Sequence, residues 1–97
     1  MDGLVFRFAP LGWSIDNAER VAESRGIRLG NKHWQVIDVL QRYYSRHEQV
    51  DWHHLTRTLD ENFQHLGGLD YLGKLLPGDP IKQACILAGL TPPRGII

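Results

Sequence analysis

The chain has 97 residues, of which 42% are hydrophobic, and its 11 basic and 11 acidic side chains give a formal net charge of zero. This length supports one small domain, and the neutral balance argues against nucleic-acid binding, because such proteins usually carry a basic face. The longest apolar run, Ala84 to Ala88, is too short to span a bilayer, and Met1 to Trp13 has no signal-peptide pattern. A single cysteine excludes an internal disulfide, and we expect a cytoplasmic protein.

The N-terminal segment alternates in hydrophobicity, which is typical of a β-strand. Leu4, Phe6 and Phe8 occupy alternate positions, so the pattern predicts a short strand over Leu4–Phe8, followed by a turn at 9–12. A single strand is not stable alone. It should therefore pair with the same strand of a second copy or lie over the helices, which makes the protein a monomer or a weak homodimer.

Two amphipathic helices are predicted next. The first covers about 14–25, with Ser14 or Asp16 as its cap, and the second covers about 31–47, with Asn31 as its cap. The second helix has a broad apolar surface that belongs at the centre of the domain. Its large apolar side chains are interpreted as core residues rather than as a stacking platform for bases: Trp34, Ile37, Leu40, Tyr43 and Tyr44.

Three shorter helices complete the predicted fold. The third follows Asp51 and runs to about His65, the fourth covers 69–76, and the fifth begins at Asp79-Pro80 and ends at Gly89. The predicted fold is mainly α: a small orthogonal domain of about five helices, helix-turn-helix-like, with a short N-terminal strand and an extended C-terminal arm. Residues 1–97 form one domain, with the strand and turn at 1–12, the helical core at 13–89 and the arm at 90–97.

The only cysteine lies on the fifth helix. Ile81, Ala84, Cys85 and Ala88 fall at i, i+3, i+4 and i+7, so Cys85 is on an apolar stripe. Two interpretations stay open, namely a small buried hydrophobe and a reactive thiol. Lys82 lies on the adjoining helix surface, where it could favour the thiolate.

The C-terminal arm has features of a partner-binding segment. Pro92 and Pro93 fix their φ angles and donate no hydrogen bonds, so residues 91–95 should be extended and locally stiff. Gly95 then frees Ile96 and Ile97. Two bulky apolar residues at this end should either pack back on the domain or insert into a partner.

Metal and DNA-binding hypotheses find little support in the pattern. The five histidines include no pair at i, i+4, and the cysteine is distant in sequence, so no metal or other cofactor is expected. Catalysis by a Cys–His pair stays open, because any histidine could approach Cys85 in space. The second and third helices could form a helix-turn-helix, although Arg57 alone on the third helix argues against DNA reading.

The C-terminal stretch contains a recognisable motif, formed by Pro77, Pro80, Lys82, Gln83, Ala84, Cys85, Ala88, Gly89, Leu90, Pro93 and Gly95. These residues resemble the signature of the DsrC/TusE sulfur-relay family, F-P-x-G-P-x-K-Q-A-C-x-x-A-G-L-P-x-P-x-G-C followed by one residue. A second block, LGNKHWQVIDVLQRYY at 29–44, is similar to the family's L-T-x-E-H-W-x-x-I-x-F-L-R-x-Y-Y helix, and Trp13 matches a Trp before the first helix. The resemblance covers about 13–97.

The resemblance implies a carrier rather than an independent enzyme. In this family a penultimate cysteine on a mobile arm carries sulfur as a persulfide into a partner's active site. The implied partners are sulfite reductase for DsrC and sulfur-relay proteins of the TusBCD or DsrEFH type for TusE. DsrC has a second cysteine upstream on the last helix, which TusE typically lacks.

This chain departs from the family at the arm. Cys85 matches the upstream cysteine, whereas Ile96 stands at the penultimate position and cannot accept sulfur. We therefore expect a protein that docks on a partner and has a regulatory or sulfur-sensing role at Cys85. The alternative is a working carrier with its persulfide on Cys85, in tRNA 2-thiolation or in a sulfite reductase or sulfur-oxidation system. The expected partner-binding residues are Lys82, Pro93, Arg94, Gly95, Ile96 and Ile97.

Overall fold

The structure is a computed structural model that describes residues 6–93; residues 1–5 and 94–97 lie outside the described part. A single turn of 3₁₀ helix at Gln64–Leu66 separates the third and fourth of its α-helices. This architecture confirms the predicted mainly α fold. The helices in chain order are α1 (Ile15–Ser24), α2 (Asn31–Arg46), α3 (Trp52–Asn62), α4 (Gly68–Leu75) and α5 (Pro80–Leu87).

The predicted strand at Leu4–Phe8 is wrong for the part of it that is described. Residues 6–8 form a turn in which the amide of Ala9 donates to the carbonyl of Phe6 at 3.3 Å, and residues 6–93 contain no strand. The ring of Phe6 packs edge-on against Trp13 and Trp34, with centroid distances of 4.9 and 5.8 Å. Packing of this ring over the helices replaces strand pairing, for which the described chain offers no partner.

The helix caps follow the sequence with one correction. Ser14 caps α1 by accepting a hydrogen bond from the amide of Asn17, as predicted. The cap of α2 is Gly30, not Asn31, which is the first helical residue. His33 makes this possible, because its Nδ1 accepts from the Gly30 amide at 3.0 Å. An imidazole one turn inside the helix thus satisfies the amide of the cap residue, which is the half of a capping box that needs no side chain on that residue.

The third and fourth helices are shifted from their predicted bounds. We expected α3 to reach His65, but it ends at Asn62, where the chain tightens into the 3₁₀ turn. Gly67 and Gly68 then have positive φ angles of 122° and 63°, and α4 begins at Gly68. Paired glycines allow this sharp reversal because side chains would strain both positions.

The core is centred on α2, which packs against both α3 and α5, while α1 packs against α5. Trp34 and Tyr43 are buried and Tyr44 is half-buried, which confirms the prediction that these aromatic residues belong to the core. None of the helices in residues 6–93 is long and apolar enough to cross a bilayer.

Candidate functional site at the root of the C-terminal arm

The two ends of α5 position Cys85 and direct the arm. The side chain of Asp79 accepts from the amide of Lys82 and caps the N-terminus, with Pro80 in the first turn. At the other end Gly89 has a φ of +76°, and the amide of Leu90 donates to the carbonyl of Cys85 at 2.9 Å. This left-handed closure ends the helix as predicted. The arm therefore leaves the domain one turn after the cysteine.

Cys85 is fully buried, with 0% of its surface exposed. Burial raises the pKa of its thiol from an ordinary value near 9 to about 11; the Tyr44 hydroxyl, which can donate to the thiolate once the thiol proton has left, opposes this shift, and the carboxylate of Asp79 adds to it. Cys85 is thus a neutral thiol at physiological pH. For Lys82 two interpretations were open, namely a group that favours the thiolate and a solvated side chain. It is exposed on the surface of α5, and the net shift of the Cys85 pKa is upward.

Tyr44 on α2 contacts both the thiol and the arm. Its hydroxyl lies 3.7 Å from Cys85 Sγ and donates to the carbonyl of Thr91 at 2.8 Å. A phenol has one proton to donate. Because Tyr44 donates it to the Thr91 carbonyl, the weak S–H group of Cys85 is the donor to the Tyr44 oxygen. One hydroxyl therefore joins the arm backbone to the buried thiol.

Two further side chains hold the end of α5. The indole Nε1 of Trp13 donates to the carbonyl of Leu87 at 2.8 Å, and Nε2 of Gln41 donates to the carbonyl of Ala88 at 3.0 Å. The last carbonyls of a helix lack partners within it, so these donors satisfy groups that would otherwise be unpaired. Together with Tyr44, they fix the place at which the arm begins.

Sequence reasoning missed the role of these anchors. Trp13 and Tyr44 were identified only as family matches, and Tyr44 also as a core residue. Gln41 was not singled out, although a signal existed: it is a polar residue one turn after Ile37 on the otherwise apolar face of α2. A polar side chain at such a position must find a buried partner, and here the partner is a helix-end carbonyl.

The predicted partner-binding residues are divided between the described and undescribed parts of the chain. Pro93 is half-buried and Lys82 is exposed. Arg94, Gly95, Ile96 and Ile97 lie outside the described residues, so their roles stay predictions.

The anchored residues 87–91, where the arm begins, are called the arm root. A groove between α1 and α5 runs beside the arm root. One part has a volume of about 250 Å³ and is lined mainly by apolar groups, including Leu11, Val21 and Ile86. The adjoining part, of about 310 Å³, shares Ile86 and contains Arg25 and Lys82. Leu11 is a large apolar side chain that is fully exposed. The surface next to the arm thus combines an apolar end with a charged end, which Asp79 lines together with the two basic residues.

Two of the histidines gather around Tyr43, away from the cysteine. Tyr43 Oη lies 2.8 Å from His54 Nδ1, and the ring of His47 stacks on Tyr43 at 4.0 Å. Among residues 6–93, no group of three or more potential ligands could hold a metal ion. Tyr44 is the side chain that hydrogen-bonds to Cys85 there, and no histidine does, so the Cys–His hypothesis gains no support.

Comparison with known proteins assigns the family. The profile described as "DsrC like protein" matches residues 4–97. The chain therefore belongs to the DsrC-like family, and the resemblance found in the sequence is confirmed. The comparison with solved structures gave no match.

Curated relatives carry two names. The chain is 33% identical over 86 residues to "Sulfurtransferase TusE" of Buchnera aphidicola, covering 84% of this chain and 73% of the relative. It is 32% identical over 83 residues to the Escherichia coli protein of that name, covering 84% and 76%. It is 34% identical over 97 residues to "Sulfite reductase, dissimilatory-type subunit gamma" of Nitratidesulfovibrio vulgaris, covering 99% and 86%.

Proposed function

We propose that this chain is a sulfur-metabolism protein that docks on a protein partner through its C-terminal arm and has a regulatory or sulfur-sensing role at Cys85. The observation that carries the proposal is an arm root held by three side-chain donors beside a buried thiol. The names of the relatives, which refer to sulfur transfer and to sulfite reductase, support the sulfur-related part. We expect the protein to work in the cytoplasm, where a single cysteine stays reduced.

Docking through the arm is supported by how the arm is presented. Its root is fixed by the donors from Trp13, Gln41 and Tyr44, so a partner meets it in a restricted orientation. Two adjacent prolines, Pro92 and Pro93, reduce the conformational entropy that binding would cost. The groove between α1 and α5 offers a second contact area beside it.

The docking proposal can be tested with two partners of the implied classes, a dissimilatory sulfite reductase and a TusBCD complex. A chain that ends at Pro93 loses residues 94–97 but keeps every described contact. We expect it to bind at least tenfold more weakly than the full chain to one of these partners. Lys82→Ala should weaken binding a few-fold, whereas Lys74→Ala, an exposed lysine on α4, should not. Equal affinity of the full and shortened chains for both partners would refute docking through the arm.

Sensing at Cys85 requires sulfane sulfur from a polysulfide or from a donor persulfide. The Cys85 thiolate attacks the outer sulfur, a new S–S bond forms on Cys85, and the S–S bond of the donor breaks. The donor leaves as a thiolate with the electron pair of that bond, and the thiol proton goes to solvent. Burial and the raised pKa of Cys85 make this step slow in the closed structure, which suits a sensor better than a rapid carrier.

Intact mass after polysulfide treatment tests this chemistry. The expected result is a gain of one sulfur atom that is absent from Cys85→Ser and from protein alkylated beforehand under unfolding conditions. Absence of any gain, even after long incubation, would exclude sensing by persulfidation and leave docking as the function.

A working sulfur carrier is the second candidate, and the name "Sulfurtransferase TusE" of several relatives favours it. Cys85 would then hold the persulfide and the partner would move to it. The test is sulfur transfer from a persulfurated donor that is competent with an ordinary relative. We place this candidate second because a fully buried thiol is poorly suited to repeated transfer.

A DNA-binding regulator is the least supported of the hypotheses. On α3 the exposed Arg57 is followed one turn later by the exposed Glu61, so this helix has no basic face. Binding to random duplex DNA at low salt would revive the hypothesis, since non-specific binding depends on phosphate contacts.

A further inference from the structure

The thiol of Cys85 lies one side chain below the surface at the arm root. Thr91 is exposed, Cys85 is fully buried, and the half-buried Tyr44 lies between them. Its hydroxyl is 2.8 Å from the Thr91 carbonyl and 3.7 Å from Cys85 Sγ. Any movement of Thr91 away from the domain therefore breaks the hydrogen bond of Tyr44, the residue whose hydroxyl contacts the sulfur.

The three bonds that hold the arm root differ in exposure. The bond from Gln41 to Ala88 is buried and that from Trp13 is partly buried, whereas the bond from Tyr44 to Thr91 is exposed to solvent. Water competes for the donor and acceptor of an exposed hydrogen bond. Breaking an exposed bond therefore costs less free energy than breaking a buried one. The arm should therefore separate at Thr91 first, while α5 stays in place.

We propose that Tyr44 is a latch that couples the position of the arm to the accessibility of Cys85: when a docked partner draws the arm away, the bond to Thr91 breaks and the thiol is uncovered. This inference rests on the proposed docking function and names its regulation. It explains why a single cysteine is buried beside the segment that a partner would bind.

The latch also changes the group to which the Tyr44 hydroxyl donates. In the closed arrangement the Tyr44 O–H donates to the Thr91 carbonyl, and the thiol donates to the Tyr44 oxygen. After release the Tyr44 O–H is available to the sulfur, where a donated bond favours the thiolate. The other titratable group that acts on Cys85 is Asp79, which caps the same helix and does not move with the arm. Release thus uncovers Cys85 and favours its reactive form.

The test measures alkylation of native Cys85 by iodoacetamide at fixed pH, without any partner. The chain ending at Pro93 keeps Thr91 and should react at the rate of the full chain. The chain ending at Leu90 lacks Thr91 and should react faster, by roughly 3- to 10-fold if one exposed hydrogen bond holds the latch. Tyr44→Phe should also accelerate the reaction, but by less, because it loses the O–H that favours the thiolate after release. Tyr71→Phe, a half-buried tyrosine on α4, should leave the rate unchanged.

The sign of the Tyr44→Phe effect separates the latch from a purely electrostatic role. If Tyr44 only stabilised the thiolate, its removal would raise the pKa of Cys85 and slow alkylation. A slower or unchanged rate in Tyr44→Phe, together with an unchanged rate in the chain ending at Leu90, would overturn the latch.

The alkylation rate at low concentrations of urea separates opening of the latch from unfolding of the whole domain. The proposal therefore stays testable even where a variant is destabilised. In the unmodified chain, opening of the latch exposes little surface, so its alkylation rate should change little with urea below the unfolding transition. A rate that instead follows the global unfolding constant would show that Cys85 opens only when the domain unfolds, which overturns the proposal. Because only the chain and a synthetic reagent are used, the latch and the docking function can fail separately.

Discussion

Gly89 and Trp13 are in direct contact where the arm begins. A Cβ placed on Gly89 would lie 2.8 Å from Cδ1 of Trp13, and the φ angle of Gly89 is +76°. The same indole donates to the carbonyl of Leu87 at 2.8 Å. The tryptophan thus anchors the end of α5 and leaves no room for a side chain at the position that ends the helix.

Gly89→Ala should therefore destabilise the domain by about 2–4 kcal/mol, because strain at positive φ adds to a clash with the indole. Gly78→Ala is the matched control, since its φ is +90° and its Cβ would meet nothing within 4 Å. It should lose only about 1–2 kcal/mol from backbone strain. Urea denaturation measures both. Equal losses would mean that the contact with Trp13 does not restrict Gly89.

Gln41 is the one buried polar side chain in the described core, at 1% exposure, and its Oε1 has no partner there. Gln41→Ala should cost about 2–4 kcal/mol, because it leaves a cavity and an unpaired carbonyl at Ala88. Gln41→Met keeps most of the volume and removes the unpaired Oε1 but still leaves the Ala88 carbonyl without its donor, so it should cost about 1–2 kcal/mol, less than the alanine variant. Chemical denaturation of the two variants checks this order, and a larger loss in the methionine variant would contradict the assignment.

Stability should fall in alkaline solution because the pKa of Cys85 is raised by burial from an ordinary value near 9 to about 11. The folded state holds the thiol proton more tightly than the unfolded state, so the stabilisation is fully present below pH 9 and is lost as pH rises to about 11. The loss should be on the order of 2–3 kcal/mol. Urea denaturation between pH 8 and about 11 measures it.

Cys85→Ala is the control for this pH dependence. It should be less stable at neutral pH, but its stability should decline less between pH 9 and about 11. A residual decline is expected above pH 10, because burial also raises the pKa of Tyr44. An identical slope in both proteins would mean that Cys85 is not the group responsible.

The features that the sequence predicted correctly are those fixed by neighbouring residues. Asp79 and Pro80 start α5 and Gly89 ends it, because capping and left-handed closure need only local groups. The strand predicted over Leu4–Phe8 is wrong at the described residues 6–8, because a strand requires a partner, which alternation alone cannot supply. The cap of α2 was misplaced by one residue because Gly30 has no side chain that would mark it as a cap, and its own amide is satisfied by the His33 imidazole.

The candidate site was predicted less completely than the fold. The apolar stripe on α5 placed Cys85 correctly, but its two interpretations could be separated only by tertiary packing. The bond from Tyr44 to Thr91 joins residues 47 positions apart, and the bond from Gln41 to Ala88 spans the same separation. Contacts at this distance depend on how α2 and α5 cross, which hydrophobic periodicity does not specify.

Ile96→Cys tests whether a thiol at position 96 is sufficient for persulfide transfer by the arm of this chain. The variant places a thiol where the family has its penultimate cysteine, and Cys85→Ala in the same chain removes the competing thiol. We expect the new thiol to be alkylated at pH 8 on the order of a hundredfold faster than Cys85, because burial raises the pKa of the Cys85 thiol to about 11. It should also take up one sulfur atom from polysulfide within the time in which the unmodified chain takes up little.

With a persulfurated donor and a TusBCD complex, Ile96→Cys should accept and pass on sulfur, whereas Ile97→Cys, one position further, should accept it but transfer it poorly. Equal transfer by the two variants would show that the penultimate position has no special geometry in this chain.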